Sequence, residues 1–154
     1  MIKRLKLEHI LFLDIETVPQ FADYDSLDNP TKLLWAAKTK YQRKENFTPK
    51  EFYDRAGIWA EFGKIICVSV GHFILENDSK KICITTFTGK EKDLLLEFKE
   101  LLDKYFNGRR HLLCAHNCKE FDFPFIARRM LIHKIELPSK LNLFEKNPWE
   151  INYI

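Results

Sequence analysis

Residues 9–13 form one apolar run, and Asp14-Ile15-Glu16-Thr17 comes directly after it. Such continuity predicts a strand over 9–16 that is buried on both faces. Residues 17–63 then turn polar and helix-prone, and read as an insertion. Within it, Asp28-Asn29-Pro30 marks a helix start, with Leu33, Leu34, Ala37 and Tyr41 as the apolar stripe. Thr48-Pro49-Lys50-Glu51 fits a capping box, and Phe52, Tyr53, Ala56, Trp59 and Ala60 make a second stripe.

Residues 65–75 and 81–87 are rich in β-branched side chains and flank the turn signal Asn77-Asp78-Ser79, which predicts an antiparallel hairpin. Thr88 and Glu91 offer a further capping pair. Beyond them Leu94, Leu95, Phe98, Leu101, Leu102, Tyr105 and Phe106 recur at helical period, and Gly108 ends the pattern. A short strand over 112–115 comes next. A helix then runs from near Asp122, with Pro124 in its first turn, to about His133. Residues 151–154 read as the opening of another strand. The order β, insertion, β, β, α, β, α, β predicts an α/β fold, a mixed sheet with flanking helices.

A chain of 154 residues can bury a sizeable core, so 1–154 is read as one domain carrying the insertion within it. Thirteen Phe exclude a disordered chain. The net charge of +3 is compatible with a nucleic-acid partner and equally with none. Cys67, Cys83, Cys114 and Cys118 read as reduced, buried thiols of a cytoplasmic protein. Cys114, His116 and Cys118 have no second Cys/His pair at ligand spacing, which argues against zinc. No run approaches membrane-spanning length, so no membrane partner is expected. Oligomeric state leaves no trace in the sequence.

The chemistry begins with Asp14 and Glu16. Residues i and i+2 of a strand share a face, so an apolar strand here projects two carboxylates to one side. Such a pair is costly in a half-buried place unless a cation accompanies it, and hard oxygen donors suit Mg²⁺ or Mn²⁺. Asp122 lies where a short strand loops into a helix, a position that favours ligand sites. Two ions about 3.5–4 Å apart between such carboxylates support phosphodiester hydrolysis.

The segment Leu-Phe-Leu-Asp14-Ile-Glu16-Thr resembles the first motif of the DEDD 3′–5′ exonucleases, and Asn117 with Phe121-Asp122 resembles their second. The resemblance covers about residues 9–133. Its long insertion is similar to that of predicted bacterial exonucleases related to the proofreading domain of family B DNA polymerases. The resemblance implies a ribonuclease H-like fold and two-metal removal of nucleotides from a single-stranded 3′ end, of DNA ahead of RNA. It implies Asp14, Glu16 and Asp122 as the catalytic metal ligands. Phe121 would be packing, and Asn117 would shape the loop or face substrate. Thr17, Tyr41 and Arg43 are further candidates for substrate contact, Tyr41 by stacking and Arg43, with Lys38, Lys40 and Lys44, by phosphate contact.

The family's third motif, an acid with a Tyr or His shortly before it, is absent. No Asp comes after Asp122, and Glu136, Glu145 and Glu150 lack the setting, as do His133 and Tyr153. The expectation is a form truncated at its C-terminus, with weak activity or none. The rival reading is a non-catalytic nucleic-acid-binding or protein-interaction module on the same fold. A trimmer of short RNA is a further one, since no residue identifiable in sequence reads a 2′-hydroxyl. Several features also have plainer readings. The basic cluster reads as a solvated helix face, Arg128 and Arg129 as solvated charge, and Asp122 as a helix N-cap as well as a ligand.

Overall fold

The computed structural model describes residues 5–43, 46–76 and 79–143. The expected turn at Asn77-Asp78, Lys44, Glu145, Glu150, Tyr153 and the strand opening at 151–154 lie outside them. The chain divides into two compact units, one of residues 1–16 with 65–154 and one spanning Thr17–Lys64. The second coincides within one residue with the insertion read from sequence.

The first unit is built on a four-stranded mixed sheet of order β3-β2-β1-β4. The strands are β1 (Ile10–Pro19), β2 (Gly63–Glu76), β3 (Ser79–Thr88) and β4 (Leu112–Cys114). β4 runs parallel to β1, with Ile10 opposite Leu112 and Phe12 opposite Cys114. β2 and β3 pair antiparallel from Glu76↔Ser79 to Cys67↔Thr88, so the predicted hairpin is present. Along β1, Leu11, Leu13 and Ile15 are buried while Asp14 and Glu16 are exposed. Phe12 shares the carboxylates' side by strand alternation and meets Phe73 of β2 edge to face. The expectation of burial on both faces therefore holds at the start of β1 and lapses where the acids begin.

Three helices accompany the strands: α1 (Asn29–Arg43), α2 (Glu91–Tyr105) and α3 (Asp122–Ile132). α2 buries Leu94, Leu95, Phe98 and Leu102, and Phe98 meets Phe87 of β3. The predicted Thr88–Glu91 cap is not formed. Lys90 is the N-cap and makes no side-chain cap bond. Glu91 is instead drawn into a polar cluster. Its carboxylate accepts from the Ile65 N–H at 2.7 Å, from Arg129 Nε at 2.8 Å and Nη2 at 2.5 Å, and meets His133 Nε2 at 2.7 Å. Burial alone would raise the Glu91 carboxyl, but Arg129, His133 and the Ile65 N–H outweigh it and hold the group below its ordinary value. Arg129 is thus a buried ion-pair partner, with a side chain 3% exposed, and not the solvated charge expected. Arg128 beside it is exposed.

The second unit has its own aromatic core of Leu27, Trp35, Phe52, Tyr53, Ala56 and Phe62. Asp28 starts α1 as predicted, accepting from the Thr31 N–H at 2.8 Å. The face that α1 buries is the reverse of the predicted one. Trp35 and Thr39 are inside, while Leu33 (73%), Leu34 (64%), Ala37 and Tyr41 (87%) face out. One indole decides this. Trp35 packs against Tyr53, Trp59 and Phe62 with centroids 5.1–5.4 Å away, and its Nε1–H donates to the Pro49 carbonyl at 2.7 Å. Thr39, one turn on, satisfies its hydroxyl on the Trp35 carbonyl.

The capping box at Thr48 forms as predicted. Glu51 accepts from the Thr48 N–H and hydroxyl at 2.8 Å, and Thr48 Oγ1 accepts from the Glu51 N–H. The chain continues as a 3₁₀ segment, Tyr53–Ile58, rather than a long α-helix. A Cβ on Gly57 would lie 3.1 Å from the Val18 carbonyl carbon, and one on Gly63 would lie 2.9 Å from the Gly57 carbonyl oxygen. This close backbone packing needs both glycines, and glycine weakens an α-helix. Among the described residues no helix is long and apolar enough to cross a membrane.

Candidate functional site

Asp14 and Glu16 lie midway along β1, two residues apart and exposed. β4 runs beside the first half of β1 and ends at Cys114. The chain then crosses residues 115–121 and enters α3 at Asp122. Asn117 governs this crossing. Its φ of 51° is left-handed, a region Asn tolerates better than most residues, and its carbonyl accepts from the N–H groups of Glu120 (3.1 Å) and Phe121 (3.0 Å). Phe121 is half-buried and packs on Phe125 at 5.5 Å.

The N-cap of α3 is Phe121, and Asp122 is the first helical residue, so the expected capping role of Asp122 does not arise. The tight Asn117 turn sets this register one residue earlier. The Asp122 carboxylate is 2% exposed, and its Oδ2 has no hydrogen-bond partner among the described residues. Its carboxyl is pushed above the usual carboxylate range by burial, against a hydrogen bond to its own N–H. The Asp14 charge pushes it further up, and His116 pulls it down. Asp14 and His116 are therefore each within electrostatic reach of Asp122. No ion pair with Lys or Arg neutralises Asp14, Glu16 or Asp122 among the described residues.

An orphaned buried carboxylate oxygen within electrostatic reach of a second carboxylate is the donor chemistry of a hard divalent cation, and on that ground Asp14 and Asp122 fit Mg²⁺ or Mn²⁺. The set is incomplete as it stands. No group of three His, Cys, Asp or Glu among the described residues is close enough together to hold an ion. Glu16 shares the Asp14 side of β1 but does not join it in such a group.

The remaining sequence candidates are spread over both units. Thr17 is half-buried in β1. Tyr41 and Arg43 belong to α1 in the other unit. Arg43 donates to Thr39 Oγ1 and to the carbonyls of Ala36 and Phe47, so it caps the end of α1. Cys114 and Cys118 carry free thiols, and burial, then Cys118, raises the Cys114 thiol. His116 gains weight, since it is exposed beside the buried acid. The sequence offered a hint of this in its position between β4 and Asp122.

Searches against protein-family models and against curated proteins return no match to this chain.

Proposed function

We propose that the chain is a divalent-metal-dependent 3′–5′ exonuclease domain of ribonuclease H-like type, acting on a single-stranded nucleic-acid 3′ end. The observation that carries the reading is the buried Asp122 carboxylate at the head of α3, orphaned at Oδ2 and within electrostatic reach of Asp14. Two motifs far apart in sequence supply these groups, as the resemblance to the DEDD exonucleases implies. The mixed four-stranded sheet with flanking helices is compatible with that fold.

Asp14 and Asp122 would hold the ion, with Glu16 as the next donor on the same side of β1. A bound Mg²⁺ or Mn²⁺ supplies charge stabilisation for the phosphodiester and lowers the pKa of water. The chain's own residues do the rest. β1 and α3 fix the two carboxylates on regular elements, the Asn117 turn sets the angle of α3, and His116 stands by as a proton acceptor.

A second reading, a nucleic-acid-binding module without catalysis, is favoured by the missing third donor. Incubating the chain and its Asp14→Ala variant with a 5′-labelled single strand and MnCl2 tests both. Shortening from the 3′ end that EDTA and Asp14→Ala abolish supports the exonuclease. Binding of the strand with no shortening favours the module. Failure to bind Mn²⁺ in calorimetry rejects the metal site and the nuclease with it.

A further inference from the structure

At the other end of β1, residues 108–111 form a tight turn. The His111 N–H donates to the Gly108 carbonyl at 3.0 Å, and the Gly108 N–H donates to His111 Nδ1 at 3.3 Å. A buried lysine clamps it, since Lys140 Nζ donates to the carbonyls of Gly108 (2.8 Å) and His111 (2.6 Å). The His111 ring is further wedged between His9 at 5.5 Å and Phe106 at 5.3 Å. The turn's two central residues are Arg109 and Arg110. Both are exposed, and neither makes a hydrogen bond or ion pair among the described residues.

These arginines line a cavity of about 370 Å³ together with Leu5, Lys6, His9 and Leu112. Among the described residues no carboxylate lines it. Lys6 keeps one loose ion pair, 3.9 Å to Glu8. The His111 imidazole behind the turn is held below its ordinary value by burial first and then by His9 and Lys140. Two guanidinium forks on a clamped turn, with the Lys6 ammonium and the His9 imidazole lining the same cavity, are the donor set of an oxyanion with several acceptor oxygens. The size is that of a small-ligand pocket, and Leu5 and Leu112 give it an apolar wall.

We propose that this cavity is a phosphate-binding site, and that its ligand presents the phosphate on a small organic ester or at the phosphorylated end of a strand. It opens where Ile10 and Leu112 begin their parallel pairing. Asp14 is four residues further along β1, about 13 Å at ~3.3 Å per residue. The site is therefore separate from the carboxylates and does not depend on the nuclease reading.

Calorimetry tests it in four arms: inorganic phosphate, adenosine 5′-monophosphate, a 5′-phosphorylated oligothymidylate and the same strand with a 5′-hydroxyl. The variant is Arg109→Ala with Arg110→Ala, two exposed turn positions, and its fold is checked by circular dichroism. Lys80→Ala with Lys81→Ala removes equal charge from β3 as the control. The expected result is binding of the phosphorylated probes that the arginine variant weakens about tenfold or more, a factor typical of losing a bidentate charged contact. The control stays within about twofold. Adenosine monophosphate names the small ester as source, and preference for the 5′-phosphorylated strand over the 5′-hydroxyl strand names the strand end. Equal loss in control and arginine variants, no binding in any arm, or equal binding of the two strands with no binding of adenosine monophosphate overturns the proposal.

Discussion

Replacing Asp122 with Asn removes one negative charge from the head of α3 and changes almost no volume. In the wild type the group is 2% exposed with Oδ2 unpartnered. Asn still places a neutral polar atom at the orphaned position, so what it relieves is the extra cost of burying a charge rather than a neutral group, on the order of 1–3 kcal/mol. The variant also gives up an anion in a helix's first turn, worth about 0.3–1 kcal/mol. From the difference, the metal-free variant is expected to be about 1–2 kcal/mol more stable than wild type. That corresponds to roughly 3–6 °C in Tm for a chain of this size.

The sign can also be read from pH. Burial, then the Asp14 charge, raises the Asp122 carboxyl, so the folded state binds this proton more tightly than the unfolded chain does. The cost is full above the raised pKa, fades as pH falls through it and is gone below the unfolded value of about 3.9. The advantage of Asn therefore shrinks on acidification. Mn²⁺ reverses the order, stabilising the wild type by about 2.7 kcal/mol at roughly a hundredfold excess over Kd and leaving the variant unmoved. Thermal melts of both proteins in EDTA and in MnCl2, at about pH 7 and about pH 4.5, read all of this. A variant less stable than wild type in EDTA, or one that Mn²⁺ stabilises equally, refutes the reasoning.

Arg129→Met cuts the guanidinium fork from Glu91 and leaves a buried carboxylate on His133 and the Ile65 N–H, at an expected cost of about 3 kcal/mol by urea denaturation near neutral pH. Glu91 is held below its ordinary value, so its contribution is present above the unfolded pKa and lost as pH falls through the lowered one. The gap between wild type and variant should narrow in acid, and a gap independent of pH counts against the pairing. In the second unit, Trp35→Ala should cost about 3–5 kcal/mol while Leu34→Ser stays within about 0.5 kcal/mol; comparable losses in the two denaturation curves would contradict the inward face assigned to α1.

Periodicity and turn chemistry carried much of the local structure. The apolar run before Asp14, the alternating hairpin strands, the α2 stripe, the Asp28 start and the Thr48 capping box are each set by neighbours within about four residues, the range over which strand and helix faces repeat. Asp14 and Asp122 stood out in the sequence for a different reason: an apolar strand ending in acids, and an acid at a strand–helix junction, are locally expensive unless a ligand accompanies them.

Other features depended on contacts far apart in sequence. Counting apolar positions on α1 could not show that one indole outweighs two leucines, because that depends on Tyr53, Trp59 and Phe62 closing around it. Glu91 looked like a cap, and Arg129 like solvated charge, until folding brought residues 38 positions apart into one buried pair. The arginine turn at 108–111 is likewise given its clamp by Lys140, about thirty residues on. Local sequence settles where the backbone bonds to itself. Which charges are buried, and with whom, is fixed only when desolvation in the folded chain forces each to find a partner.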